Sequence, residues 1–162
     1  MANISVIGTT SWGTTLAIIL ARNGSEVLLW ARTQEEATAL ESARENRRLL
    51  PGFPFPPGIR LTASVEEATS GADMVVLVVP SRSLRENVRG LLPHLDSRSI
   101  VLSATKGLEK GSANRMSQIL EEEFSQGPGG ILHCFTASLE MAERCLPLGF
   151  YISLDRKSTR LN

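Results

Sequence analysis

The sequence has no excess of charge of either sign: 17 lysine and arginine residues balance 17 aspartate and glutamate. Nothing in that balance predicts a field that draws the chain to nucleic acid or to an anionic membrane. Long hydrophobic runs are missing as well. The longest, Met74 to Pro80, falls far short of the roughly 20 residues a membrane-spanning helix needs. Met1-Ala-Asn3 enters strand-forming residues at once, without a basic stretch or an apolar leader, so no signal peptide and a cytoplasmic location are expected. Cysteine is scarce. Cys134 and Cys145 fit no metal-binding spacing, and two buried free thiols in a reducing compartment are expected. Repeats and low-complexity tracts are absent. The remaining composition, 42% apolar and 21% charged over 162 residues, is that of a globular chain with one ordinary domain and a real core.

Strand patterns alternate with helical ones along this chain. Ile4 to Ile7 reads as a buried strand, and Trp12 to Asn23 as a helix with Trp12, Leu16, Ile19 and Leu20 on one face. Gly24 stops that helix. Glu26 to Trp30 is a second strand. Thr33 and Glu36 form a capping-box pattern opening a helix to about Glu45. Four prolines and two glycines between Leu50 and Gly58 make a loop. A short strand at Arg60 to Thr62 precedes a second capping-box pattern, Ser64 with Glu67. Asp73-Met-Val-Val-Leu-Val-Val-Pro80 is the clearest strand, and its unbroken apolar content predicts burial on both faces of a parallel sheet. Ser81 to Leu92 is helical up to Pro93, Ser99 to Ser103 a strand, and Ser112 to Phe124 a helix. Together these predict an α/β, Rossmann-type, doubly wound and mostly parallel sheet. Gln126-Gly-Pro-Gly-Gly130 interrupts the rhythm. A strand at Ile131 to Phe135, a helix at Ser138 to Leu146 and a strand at Phe150 to Leu154 follow. The polar residues Asp155 to Asn162 are expected to be disordered.

Three places in this pattern can carry chemistry. In Gly8-Thr-Thr-Ser-Trp-Gly13, Gly8 permits a tight turn after the first strand and Gly13 lets the helix approach the sheet. The backbone N–H groups from Thr10 to Gly13 would face an anion at the helix N-terminus, with the Ser11 hydroxyl as a further donor. No glycine occupies the middle position of the dinucleotide fingerprint. Thr10 stands there, and its Cβ costs affinity unless its hydroxyl bonds a phosphate oxygen. A strand–turn–helix that needs its glycines for packing alone is the alternative. At the end of the second strand no carboxylate is present to accept from a ribose 2′-hydroxyl. Arg32 stands there instead, suited to a 2′-phosphate and so to NADP, or to both NADP and NAD. It equally fits a solvated arginine. Lys106, in Ser103-Ala-Thr-Lys-Gly-Leu-Glu109 after another strand, lies where open α/β sheets bind ligands. It could hold a substrate phosphate or polarise a carbonyl, or be a surface lysine in a turn.

Val6-Ile-Gly8, Ser11-Trp-Gly-Thr14, Leu20-Ala-Arg-Asn-Gly24, Leu29-Trp-x-Arg32, Arg44-Glu-Asn46 with Leu50-Pro-Gly52, Val78-Val-Pro-Ser81 and Ser103 to Glu109 occur in that order. Together, over roughly residues 2 to 125, they resemble the N-terminal domain of bacterial NAD(P)-dependent glycerol-3-phosphate dehydrogenases. The resemblance implies that Ser11, Trp12 and Arg32 contact the dinucleotide and that Lys106 lies near both nicotinamide and substrate. It makes Thr10 a family variant of the fingerprint. It also implies hydride transfer between NAD(P)H and dihydroxyacetone phosphate, giving glycerol 3-phosphate for phospholipid synthesis. The family's helical substrate domain, with its catalytic lysine, has no counterpart here. No catalytic residue is therefore expected in this chain, and turnover is expected to be undetectable.

Residues 131 to 153 are instead similar to a β-α-β stretch of TatD-type metal-dependent hydrolases, with His133 at the position of a metal ligand. The other ligands of that family are missing, so no metal site is expected. The division that follows is a dinucleotide-binding domain at 1–130, a grafted β-α-β segment at 131–154 whose strand at Ile131 to Phe135 could occupy the slot of the family's next strand, and a disordered, spurious tail at 155–162. A non-catalytic nucleotide-binding module and a non-functional chimeric product are the other two readings.

Overall fold

The computed structural model describes residues 1–124, 130–133, 135 and 138–154. The sequence's rhythm becomes β1 (Asn3–Ile7), α1 (Ser11–Arg22), β2 (Glu26–Trp30), α2 (Gln34–Ala43), β3 (Ile59–Thr62), α3 (Val65–Thr69) and β4 (Met74–Leu77). It continues with α4 (Leu84–Leu91), β5 (Ile100–Ser103), α5 (Met116–Glu123), β6 (Gly130–Leu132), α6 (Leu139–Cys145) and β7 (Phe150–Ile152). The strands make one sheet in the order β3-β2-β1-β4-β5-β6-β7, and every neighbouring pair is parallel. β6 lies beside β5, parallel to it, with Leu102 opposite Ile131.

Alternation along the strands builds two cores, one on each face. Val76 and Val78 point into a cluster with Ile4, Val6, Ala17, Ile18, Val27, Leu29 and Ile59, whereas Val75, Leu77 and Val79 join Leu84, Val88, Ile119, Leu120, Phe124 and Phe150. This explains why β4 has no polar position: helices cover both of its faces. Each fully buried aliphatic side chain here, such as Leu29, Leu77 or Ile119, contributes about 1.5–3 kcal/mol. Phe124 and Phe150 meet edge to face at 5.9 Å, joining α5 to β7.

Several local expectations change. The face of α1 that packs is only partly Trp12, Leu16, Ile19 and Leu20: Leu16 and Leu20 lie partly buried against the core, but they flank its centre rather than form it. Gly13, Thr14, Ala17 and Ile18 are buried, while Trp12 and Ile19 are each 46% exposed. A Cβ at Gly13 would overlap the Gly8 carbonyl oxygen, so the helix must meet the sheet through its smallest side chains. Both capping boxes are half made. Thr33 and Ser64 accept from the N–H groups of Glu36 and Glu67 at 3.2 Å, but the two carboxylates reach elsewhere, Glu67 to the Thr62 hydroxyl. α2 stops at Ala43 because Arg44 turns left-handed, with φ 48°. There its guanidinium donates to the carbonyls of Pro56 and Ile59 at 2.9 Å and pins the proline-rich loop. α5 begins at Met116, not Ser112, since Ala113 is left-handed and Glu109 N–H closes a turn onto Asn114 O at 2.8 Å.

Cys145 is free and buried, and burial pushes its thiol up. Cys134, the Gly-rich residues 126–129 and the tail 155–162 lie outside the described residues. Among the described residues no helix is long and apolar enough to cross a membrane.

Candidate functional site

The strand order reverses between β2-β1 and β4-β5, and the loops leaving β1 and β4 diverge at that point. In an open parallel sheet this is where a crevice forms. The turn after β1 fills its floor. Gly8 has φ +117°, and a Cβ there would lie 2.7 Å from the Val78 carbonyl oxygen. Its N–H donates to Trp30 O at 3.2 Å, tying the turn to β2. Thr10 then caps α1: its hydroxyl donates to Val78 O at 3.1 Å and accepts from Gly13 N–H at 3.0 Å. Two sequence expectations change as a result. The Thr10 hydroxyl proton is committed to β4 and is not offered to a phosphate, and the Gly13 N–H is satisfied within the turn. The N–H groups of Ser11 and Trp12 remain, as the first of a helix must, without an intrahelical acceptor. No acidic residue stands in the first turn of α1. Two outward N–H groups, the helix dipole and the absence of a carboxylate suit an anion.

Asn46, Thr9 and Glu36, none of them among the expected site residues, hold this turn. Asn46 is buried, and its amide donates to Thr9 O and to the Thr14 hydroxyl, both at 2.9 Å. Thr9 in turn donates its hydroxyl to Glu36 Oε1 at 2.7 Å. Asn46 appeared in the sequence only as part of a motif. The one local signal for it is a small amide in a polar stretch just after a helix.

Two clefts meet over the turn. One, of about 630 Å³, runs along Gly8, Thr9 and Thr10 to Arg32, Glu36 and Arg48 on one side and Pro80 on the other. The second, of about 460 Å³, is lined by Thr10, Trp12, Val79, Pro80, Thr105 and Lys106. Thr10, Val79 and Pro80 line both. The structure therefore brings Gly8, Thr10 and Arg32 together in one cleft and Thr10, Trp12 and Lys106 in the other. Ser11 and Gly13 line neither: Ser11 adds its N–H at the helix end, and Gly13 acts through packing. A third cleft of about 660 Å³ beside α3, lined by Asn3, Ser5, Glu26, Arg60 and Glu67 among others, contains none of the candidate residues.

Lys106 stands exposed on a braced loop. Thr105 donates its hydroxyl to Leu77 O at 3.2 Å, and a Cβ at Gly107 would come within 3.1 Å of Ser81. Farther along, Glu109 takes a two-point bond from Arg85, at 2.7 and 3.0 Å. Arg85 also donates to Glu122 and Glu123, and Arg89 completes the network through Glu123. The Arg85 guanidinium and the Ser112 hydroxyl hold the Glu109 carboxyl down at about 2. A charge-assisted pair of this geometry fixes orientation as well as charge. His133 is exposed with Nδ1 3.3 Å from Ser153 Oγ. Among the described residues no three His, Cys, Asp or Glu side chains group to hold a metal.

The family model described as NAD-dependent glycerol-3-phosphate dehydrogenase N-terminus matches residues 3–147. A glycerol-3-phosphate dehydrogenase [NAD(P)+] of Dehalococcoides mccartyi is 48% identical over 126 residues, 77% of this chain and 35% of that protein. The protein of that name from Corynebacterium glutamicum is 40% identical over 131 residues, 81% of this chain and 40% of its own length. The chain thus spans about a third of the length of the curated relatives it matches first. Among solved structures, glycerol-3-phosphate dehydrogenase from Coxiella burnetii superposes with a TM-score of 0.73 at 24% identity, covering 96% of this chain and 54% of that one. That likeness establishes the fold.

Proposed function

Since the chain belongs to the family of NAD-dependent glycerol-3-phosphate dehydrogenase N-terminal domains, we propose that it is a dinucleotide-binding unit for NADP or NAD. The observation that carries this reading is the turn: a helix N-terminus with two outward N–H groups, no acid in its first turn, and a cleft opening to each side. The N–H groups of Ser11 and Trp12 bind the pyrophosphate, Gly8 lets it approach, Gly13 seats the helix against the turn, and Thr10 holds the turn in shape. Arg32 receives the adenosine end, where its guanidinium matches a 2′-phosphate. Trp12 and Lys106 line the other cleft, where the nicotinamide belongs, and Lys106 also takes the phosphate or carbonyl of the substrate. The nicotinamide supplies the redox chemistry when bound; the chain's residues bind, orient and shield.

The reaction proposed for the whole family protein is the NAD(P)H-dependent interconversion of dihydroxyacetone phosphate and sn-glycerol 3-phosphate in the cytoplasm, in glycerophospholipid synthesis. These 162 residues bind the cofactor, and turnover by this unit alone is expected to be undetectable, since it spans about a third of the length of its relatives and acid–base chemistry and substrate positioning need more than Lys106. Residues 1–130 form the binding unit. Residues 131–154, similar to a TatD-type stretch, extend the sheet as a β-α-β addition, and 155–162 belong to neither. No nucleic acid or membrane partner enters this reading.

Titration of the purified chain with NADPH, followed by nicotinamide fluorescence, tests it. Saturable binding with one equivalent is expected, with no oxidation of NADPH when dihydroxyacetone phosphate is added. No saturable binding refutes the reading and leaves a fusion product that holds nothing; turnover refutes the claim that catalysis needs a further domain.

A further inference from the structure

We propose that Glu36 is the ribose-recognising carboxylate of this site and that Arg32 and Arg48 oppose it, so that the three together set the balance between NAD and NADP. The inference rests on the dinucleotide reading above. β2 ends at Trp30 and is followed by Ala31-Arg32, with no acid where the ribose acceptor of such folds stands. Glu36, in the first turn of α2, reaches back into that place. Its Oε1 accepts from the Thr9 hydroxyl at 2.7 Å and its Oε2 from Arg32 N–H at 3.3 Å. The carboxylate therefore bridges the β1–α1 turn to the β2–α2 turn. An adenosine ribose lies between those two turns once the pyrophosphate sits at the N-terminus of α1.

Each carboxylate oxygen has two acceptor sites. One on each is in use, and the other is left for a 2′- or 3′-hydroxyl. The side chain is 27% exposed and lines the larger of the two clefts. The opposing charges are in the same cleft. Arg48 Nη2 lies 3.6 Å from Glu36 Oε1 with its side chain 76% exposed, free to swing, and Arg32 is exposed beside it. A 2′-phosphate meets two guanidinium groups that match it and one carboxylate that repels it. A 2′-hydroxyl meets the carboxylate alone. Glu36 thus favours NAD, and the arginines favour NADP.

The test measures Kd for NADPH and for NADH on the purified chain by nicotinamide fluorescence, in wild type and in Glu36→Gln. Glutamine keeps the shape and an acceptor for Thr9 but removes the charge. The ratio of NADPH to NADH affinity is expected to rise about tenfold. A merely structural role for Glu36 weakens both cofactors together and leaves the ratio at its wild-type value; that result overturns the inference. Arg48→Gln leaves the Thr9 and Arg32 bonds of Glu36 in place and is expected to lower the same ratio about tenfold, largely through NADPH. An unchanged ratio there overturns the opposition of charges even if Glu36→Gln does not fold. A wild-type chain that binds neither cofactor overturns the dinucleotide reading and this inference with it. Wild-type binding with unchanged ratios in the variants overturns this inference alone.

Discussion

Replacing Gly8 with alanine separates the two physical demands that the turn after β1 makes on its first residue. The backbone there has φ +117°, and an added Cβ would lie 2.7 Å from the Val78 carbonyl oxygen and 3.1 Å from its carbon. A positive φ costs an L side chain about 1–2 kcal/mol. Overlap with a strand carbonyl, which has no rotamer to escape into, costs about 1–3 kcal/mol more. The expected loss is about 3 kcal/mol. Gly24 is the control. It has φ +87° with nothing within 4 Å of its Cβ, so Gly24→Ala meets only the first demand and costs about 1–2 kcal/mol. Urea unfolding followed by circular dichroism reads both, and an unchanged slope licenses the comparison. Moving Gly8 away from β4 also moves the N–H groups of Ser11 and Trp12. NADPH affinity is therefore expected to fall at least about tenfold in Gly8→Ala and to hold in Gly24→Ala. Equal stability losses, with affinity intact in both, refute the argument that close approach to β4 shapes the site.

Asn46→Ala removes the donor that the buried Thr9 carbonyl and Thr14 hydroxyl share, at a cost of about 1–3 kcal/mol by the same urea assay, with weaker NADPH binding as Thr9 loosens. Acid stability reports on the Arg85 network. Glu109 is held at about 2 against an ordinary 4.5, so its folded value is depressed. The stability it contributes is complete above about pH 4.5 and is lost as pH falls toward 2. Urea midpoints measured down through that window are expected to fall less steeply in Glu109→Gln than in wild type.

The parts of this fold that were legible in the sequence are those whose causes are local. Met74 to Leu77 reads as a doubly covered strand because four apolar residues in a row leave no polar face. Thr33 and Ser64 start helices because a hydroxyl three residues ahead of an N–H can bond it. The face of α1 was legible only in Leu16 and Leu20; its centre depends on Gly13 meeting the Gly8 carbonyl, and hydropathy ranks Trp12 and Ile19 above the glycine and alanine that pack. Thr10 looked like an obstruction to phosphate because only the folded chain brings Val78 O within reach of its hydroxyl. Glu36 looked like half of a capping box, yet a longer-range partner, Thr9, outcompetes the local one. The bond from Asn46 to Thr9 crosses 37 positions, beyond any periodic pattern. Arg32 and Lys106 were singled out by position relative to strand ends, and the structure places each on the wall of a cleft there.

Backbone amide shifts during an NADPH titration test the central claim most directly, because they report where the ligand sits as well as whether it binds. The expected result is saturable change concentrated at Gly8 to Gly13, at Arg32 to Glu36, and at Thr105 and Lys106, with the cleft beside α3 silent. Saturable change centred on Ser5, Glu26 and Arg60, or no saturable change anywhere, contradicts the account.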